Sequence, residues 1–429
     1  MGHLKLKYGL DEIPPVFHLL TFGLQWLAIT VPTIIIVGKV AAGIQPENYI
    51  EPTLYLQRIF FVVGVSLLLQ TLFGHRMPLV VGPAAVLLIG IAASEGSSSS
   101  YSAILICGLI LAVLGITGLF AHLRKFFTPR VVATTLILIA FTLTPMILDL
   151  ITSSVESVSP FNNLVFSLLF VLVIFIFNKF ITGIWKSTLI LWSIILGSLA
   201  YYFIFGVRFS WGGADTPYLA GFFHGLDFSV SVEPGVLISF LICFLALSVN
   251  DLGSIQSVGE MLKPDNMQKR ITRGITLTGL LNVLAGMFGV IGLVNFSLSP
   301  GVIASTRVAS RFTLIPTALG LLLLSFLPKT IAFMGSIPSA VIGATMIYIM
   351  CSQIGAGLIV AFNSNGGFKF ENGIVMGLPL MLSILISFLP QEVLNTFPLS
   401  LRPVLGNGFV VGIIAVLIME HIIYQEKKV

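Results

Sequence analysis

Fourteen apolar runs follow one another along the chain, near residues 16–38, 56–74, 78–94, 102–122, 130–151, 163–178, 187–206, 235–253, 273–291, 297–310, 312–328, 331–351, 373–391 and 404–424. Such runs leave few structural options. A full bilayer crossing needs about 20 apolar residues in a helix, and lipid supplies no partner for backbone N–H and C=O groups. The chain therefore reads as an all-α polytopic membrane protein. Its composition agrees: of 429 residues, 56% are hydrophobic and 9% charged, where a soluble domain carries about 25% charged residues. The net charge of +5 points to membrane topology rather than nucleic acid. Cys107, Cys243 and Cys351 sit in apolar runs at no metal-binding spacing, which reads as inert packing. The N-terminus mixes Lys5 and Lys7 with Asp11 and Glu12 and lacks a cleavage pattern, so the first run is expected to remain as a span.

Several runs are shorter than the roughly 20 residues a crossing needs, and two of them stand out. Residues 78–94 open with Pro78 and Gly82, and residues 297–310 contain Ser299-Pro300-Gly301. Pro is tolerated at a first helical position, and a helix starting there aims free N–H groups and a positive dipole end at whatever precedes it. Such breaks survive in a membrane only where protein or a wet cavity satisfies the backbone. The two runs are third and tenth of fourteen, the same place in each half. Short Gly/Pro-interrupted segments at matching places point to an inverted-repeat transporter. Because seven is odd, the second repeat enters upside down.

Charge distribution supports the count. With the N-terminus inside and loops alternating, the inner side holds Lys5, Lys7, Arg76, Arg124, Lys125, Arg130, Lys179, Lys186, Lys263, Lys269, Arg270, Arg273, Arg307, Arg311, Lys369, Lys427 and Lys428. The outer side holds only Lys39, Arg58, Arg208, Lys329 and Arg402. This positive-inside bias places both termini in the cytoplasm. The outer loop 207–234, with Trp211-Gly212-Gly213, is expected at the interface. Glu95 to Tyr101 reads as a flexible connection, because it lacks the Gly-Lys-Ser/Thr core of a phosphate loop.

Ionisable residues inside spans are functional hypotheses by default. Asp251 follows the apolar run Phe240 to Val249, within Ser248-Val-Asn-Asp-Leu-Gly-Ser254. It is open to binding a cation, carrying a proton, pairing with a basic residue, or capping a helix that ends near Val249. On a helix Asn250 and Ser254 share a face, with Asp251 about 100° away. Glu260 is expected in an inner loop and Asp149 at an outer, wet span end. Gln25, amid Phe22 to Val31, suits reading a substrate or bridging helices. No nucleophile–base pair or metal cluster suggests an enzyme, and no cofactor is expected.

The segment Arg273-Gly-Ile-Thr-Leu-Thr-Gly-Leu-Leu-Asn-Val-Leu-Ala-Gly-Met-Phe-Gly289, followed by Ser299-Pro-Gly-Val-Ile-Ala-Ser-Thr-Arg307, resembles the nucleobase–ascorbate transporter family (nucleobase:cation symporter-2). Gly301 and Thr306-Arg307 match that family's Asn-x-Gly-x4-Thr-Arg signature, and Gln25-Trp26 stands in place of its Gln-His motif. The chain departs at Ser299-Pro300, where the family has Asn. It departs again at Asn250, which aligns with the family's eighth-span Glu unless a one-residue shift makes Asp251 the match. In the third span Ala84 and Ala85 replace aromatic or hydroxyl positions. The resemblance implies a core domain of 1–125 and 235–329, a gate domain of 126–234 and 330–429, broken helices 3 and 10 with short strands, and a homodimer.

The expected function is secondary active transport of a nucleobase-like solute, of the uracil/xanthine class, across the inner membrane, coupled to H+ or Na+. The solute would lie between the two half-helices against the eighth span, touching Asn250, Ser254, Ser299, Gly301, Ala84, Ala85 and Gln25. Asp251 would couple the ion. One alternative keeps the fold but carries a small anion, as SulP transporters do, although no STAS domain follows the last run. Another is a non-transporting membrane scaffold or partner.

Overall fold

The computed structural model describes residues 6–45, 50–94, 96–120, 126–154, 158–207, 216–226, 228–362, 369–398 and 400–424. Lys5, Arg124, Lys125, Arg208, Lys427, Lys428, Glu95 and Trp211-Gly212-Gly213 lie outside them. The elements are α1 (Val16–Ile44), α2 (Pro52–Leu72), β1 (Val81–Pro83), α3 (Ala85–Ala93) and α4 (Ser98–Thr117). Next come α5 (Pro129–Thr142), α6 (Thr144–Thr152), α7 (Pro160–Phe180), α8 (Gly183–Ser187) and α9 (Leu189–Phe205). Then follow α10 (Pro234–Leu262), α11 (Met267–Met287), β2 (Leu293–Asn295), α12 (Ser299–Thr306), α13 (Leu314–Ser325) and α14 (Pro328–Gly335). The last long helices are α15 (Ser339–Phe362), α16 (Phe370–Ser387) and, after two short turns, α17 (Gly408–Ile418). Among the described residues eight helices are long and apolar enough to cross a membrane. A ninth arises if Arg311–Ser325 and Pro328–Gly335, bent by 94°, count as one.

Several boundaries move. The run at 331–351 is not one span: a turn separates α14 from α15, as Pro338 cannot continue a helix through its own missing N–H. Helix α10 continues to Leu262, so Asp251 lies mid-helix rather than at a cap, and Glu260 is helical rather than in a loop. Lys39 and Arg58 are not loop charges either. Lys39 lies within α1 and donates to the Ile337 carbonyl at 2.5 Å. Arg58, only 1% exposed, donates from α2 to the carbonyls of Phe222, His224 and Phe288. Both side chains are satisfied internally, and neither reports topology as a loop residue would.

Packing divides the helices. α1–α4 and α10–α14 contact one another, while α5–α7, α15, α16 and α17 form a second set. The first set's most extensive contact is α4 against α11, built on small residues. A Cβ on Gly279 would lie 2.4 Å from the Ala112 nitrogen, and one on Gly286 would lie 2.7 Å from the Leu105 nitrogen. Backbones this close need glycine, as in other membrane helix pairs. Gly279→Leu is therefore expected to cost more than the ~1–3 kcal/mol of ordinary overpacking, since backbone must move. Size-exclusion profiles and thermal unfolding in detergent check this; an unchanged unfolding temperature would refute the close crossing.

An N-terminal strap ties the C-terminal end of α12. Tyr8 bridges Val308 in parallel, Lys7 N donates to Arg307 O, Ala309 N donates to Tyr8 O, and Asp11 pairs with Arg311 at 2.7 Å. Beyond the strap, the Ser187 and Ser305 hydroxyls meet at 3.1 Å between α8 and α12.

Candidate functional site

The two Pro/Gly-interrupted runs each fold as a strand followed by a short helix. β1 and β2 pair antiparallel, with Val81 opposite Asn295, Gly82 opposite Val294 and Pro83 opposite Leu293. Phe296 N then donates to Val80 O, and Ala84 N to Gly292 O. Pairing satisfies backbone groups that lipid could not. It also brings the N-terminal ends of α3 and α12 to one crossing, where their orphan N–H groups and dipoles favour negative charge. Gly82 permits this, because a Cβ there would sit 2.3 Å from the Phe296 ring. Asn282 of α11 braces the crossing: it donates to Leu293 O and accepts from Leu293 N.

Helix α10 packs against α3, β2 and α12 and shows two faces. Asn250 is half-buried, and Gly253, Ser257 and Glu260 are exposed at helical spacing beside it. A Cβ on Gly253 would meet nothing within 4 Å. The opposite face holds Asp251, fully buried. Asp251 Oδ1 accepts from Asn295 N at 2.9 Å and Asn295 Nδ2 at 2.7 Å, and Oδ2 accepts from Thr278 Oγ1 at 2.8 Å. Among the described residues no cation faces it.

Gln70 and His75 hold the residues that bond Asp251. Gln70 Nε2 donates to Thr278 Oγ1 and Gly274 O, both at 3.0 Å. His75 Nε2 lies 3.2 Å from Asn295 Oδ1, while His75 Nδ1 accepts from Met77 N at 3.0 Å. Since Nδ1 faces a donor, the proton sits on Nε2. Burial pushes the His75 ring down to about 3, so it stays neutral while the unfolded ring takes a proton near pH 6.5. Stability is thus lost as pH falls below about 6.5, because only the unfolded state binds that proton. Thermal unfolding between pH 7 and pH 5 should fall more in the parent than in His75→Gln; equal slopes would count against the buried neutral ring.

The expected site residues fare differently. Ala84 is buried and Ala85 half-buried at the start of α3. Gly301 is exposed on α12 with nothing within 4 Å of a Cβ, and Ser297 and Ala304 are exposed on the same side. Gln25 sits in α1, its Nε2 buried with no hydrogen-bond partner among the described residues. Two hydroxyls are already engaged. Buried Ser299 accepts from Val80 N and donates to Phe296 O, and buried Ser254 donates to Asn250 O of its own helix. Both brace backbone, so Ser254 does not join Asn250 on the open face. Sequence reading passed over Gln70, His75, Thr278, Asn295 and half-buried Phe296. Gln70 and Thr278 lie in apolar runs, where a polar group must find a partner; that was the available signal.

The sequence model of the xanthine/uracil permease family, described as a permease family, matches residues 17–392. The xanthine permease of Bacillus subtilis is 26% identical over 417 residues, covering 94% of this chain and 92% of its own. The nucleobase transporter PlUacP of Paenibacillus larvae is 26% identical over 428 residues, covering 95% of each. The transmembrane domain of the cyanobacterial bicarbonate transporter BicA superposes with a TM-score of 0.65 at 14% identity, covering 87% of this chain and 96% of that one. That last likeness shows the fold alone.

Proposed function

Because the chain belongs to the xanthine/uracil permease family, whose relatives are transporters and not enzymes, we propose that it is a secondary active transporter. Its solute is nucleobase-like, of the uracil/xanthine class, and it moves with H+ or Na+ across the inner membrane. In this reading fourteen segments form two inverted repeats of seven. α1–α4 and α10–α14 make a core domain and the remaining helices a gate, working as a homodimer with cytoplasmic termini.

The observation that supports this best is the strand pair that sets two half-helix N-termini together beside the open face of α10. A planar solute with several carbonyls would lie there. The Asn250 amide and the unpartnered Gln25 amide nitrogen offer the paired donors and acceptors a nucleobase edge needs. Phe296 offers a ring face. Ala84, Ala85 and Gly301 leave room, and the dipole ends favour electron-rich carbonyl oxygens. Asp251 couples the ion from behind β2, because a buried carboxylate without a cation costs several kcal/mol unless a proton or metal ion relieves it.

Uptake of labelled xanthine and uracil into proteoliposomes, under imposed pH or sodium gradients, tests this. Saturable accumulation is expected under one gradient. A cysteine at exposed Ser297 should react with aqueous thiol reagents, more slowly when substrate is present. Accumulation of sulfate or bicarbonate instead would favour an anion carrier, and no saturable uptake of any of these would favour a scaffold.

A further inference from the structure

The polar groups around Asp251 form a closed ring of bonds with one source and one sink. From His75, the main-chain N–H reaches Gln70 Oε1 at 3.4 Å, Gln70 Nε2 donates to Thr278 Oγ1, and Thr278 donates to Asp251 Oδ2. In the other direction, His75 Nε2–H donates to Asn295 Oδ1, and Asn295 Nδ2 donates to Asp251 Oδ1. Every donor points away from His75 and towards the carboxylate. The Met77 N–H on His75 Nδ1 fixes that sense, because only an acceptor can face it. His75 belongs to the segment leading into β1, and Asn295 is the last residue of β2. The carboxylate is thus bonded, through one residue on one side and two on the other, to both half-helix entrances.

We propose that His75 and Asn295 are positioning residues through which the state of Asp251 sets the register of β1 and β2, and hence the two half-helix ends. This rests on the reading of Asp251 as the coupling group. Coupling then needs no contact between ion and solute: a change at Asp251 reaches the solute through Asn295, whose main-chain and side-chain N–H groups both hold Oδ1. Networks of buried hydrogen bonds behave as units in this way.

Two readouts decide the matter. In substrate-free purified protein, amide hydrogen exchange of the peptide spanning Leu293–Asn295 reports the register directly. His75→Phe keeps the main-chain N–H on Gln70 but removes the ring donor to Asn295 Oδ1, and should speed that exchange at least tenfold. His75→Gln, whose amide can donate to Asn295 Oδ1, should recover at least half the protection. In proteoliposomes, His75→Phe should lower the Vmax of gradient-driven xanthine uptake about tenfold with KM within threefold, and His75→Gln should recover it in part. If His75→Phe does not fold, Asn295→Thr keeps the main-chain bond but loses the Nδ2 donor and should give the same split. Unchanged exchange in these variants, or a His75→Gln no better than His75→Phe, overturns the proposal. If the parent takes up no xanthine, the exchange result still judges the positioning role, while the functional reading falls by itself.

Discussion

Asp251→Asn is expected to abolish gradient-driven accumulation while the protein still folds. The structure gives the reason for both halves. Three donors converge on the carboxylate: Asn295 N, Asn295 Nδ2 and Thr278 Oγ1. An amide can keep its oxygen towards both Asn295 donors. Its NH2 then faces Thr278, whose hydroxyl can turn and accept. The proton of Thr278 loses its acceptor, a cost of about 1 kcal/mol for one hydrogen bond. Asp251→Ala differs, since it leaves three buried donors unpaired at ~1–3 kcal/mol each. That variant should yield little monodisperse protein. The amide cannot gain or lose a proton, nor hold a cation as a carboxylate does. Accumulation under pH and sodium gradients should therefore fall to the level of empty liposomes, whereas exchange of labelled for unlabelled solute persists. Should Asp251→Asn concentrate solute as the parent does, the coupling group lies elsewhere and Asp251 serves only to hold β2.

How much of this was legible in the residues varies with the physics involved. The long apolar helices were plain, because about 20 residues without charge have few other uses. So were the two interrupted segments: Pro78–Gly82 and Pro300–Gly301 break a helix whatever surrounds them. Asp251 was visible as a costly charge, but not its direction. Whether it capped a span or sat inside one depended on where α10 ends, and Leu262 lies beyond the last apolar residue of the run. Partners were harder still. Asn295 and His75 are 220 positions apart, and no local periodicity joins them; only the β1–β2 pairing does. The hydroxyls misled for a related reason. Ser299 and Ser254 looked available because a sequence does not show which backbone group each will satisfy. In a membrane such groups are taken up internally, and both hydroxyls are.

Gly301→Phe is expected to block transport without harming the fold, and Gly301→Ala to do neither harm. Gly301 lies in the first turn of α12, exposed, and a Cβ there meets no atom within 4 Å. Glycine inside a helix costs about 0.8–1.0 kcal/mol relative to alanine, so Gly301→Ala should unfold at an equal or higher temperature. The site reading gives the open space a purpose. If solute lies at the N-terminal end of α12 against Asn250, one methyl leaves most of that room and a benzyl group fills it. Solute must then compete with a tethered ring, and uptake should drop more than tenfold, with no saturation in the concentration range that saturates the parent. Thermal unfolding separates this from misfolding, because Gly301→Phe should remain within a few degrees of the parent yet lose the stabilisation that bound solute confers on the folded state. A Gly301→Phe protein that transports as the parent does would show that the exposed face of α12 borders lipid or the gate helices, and the solute would then have to be sought on the Gln25 side of the crossing.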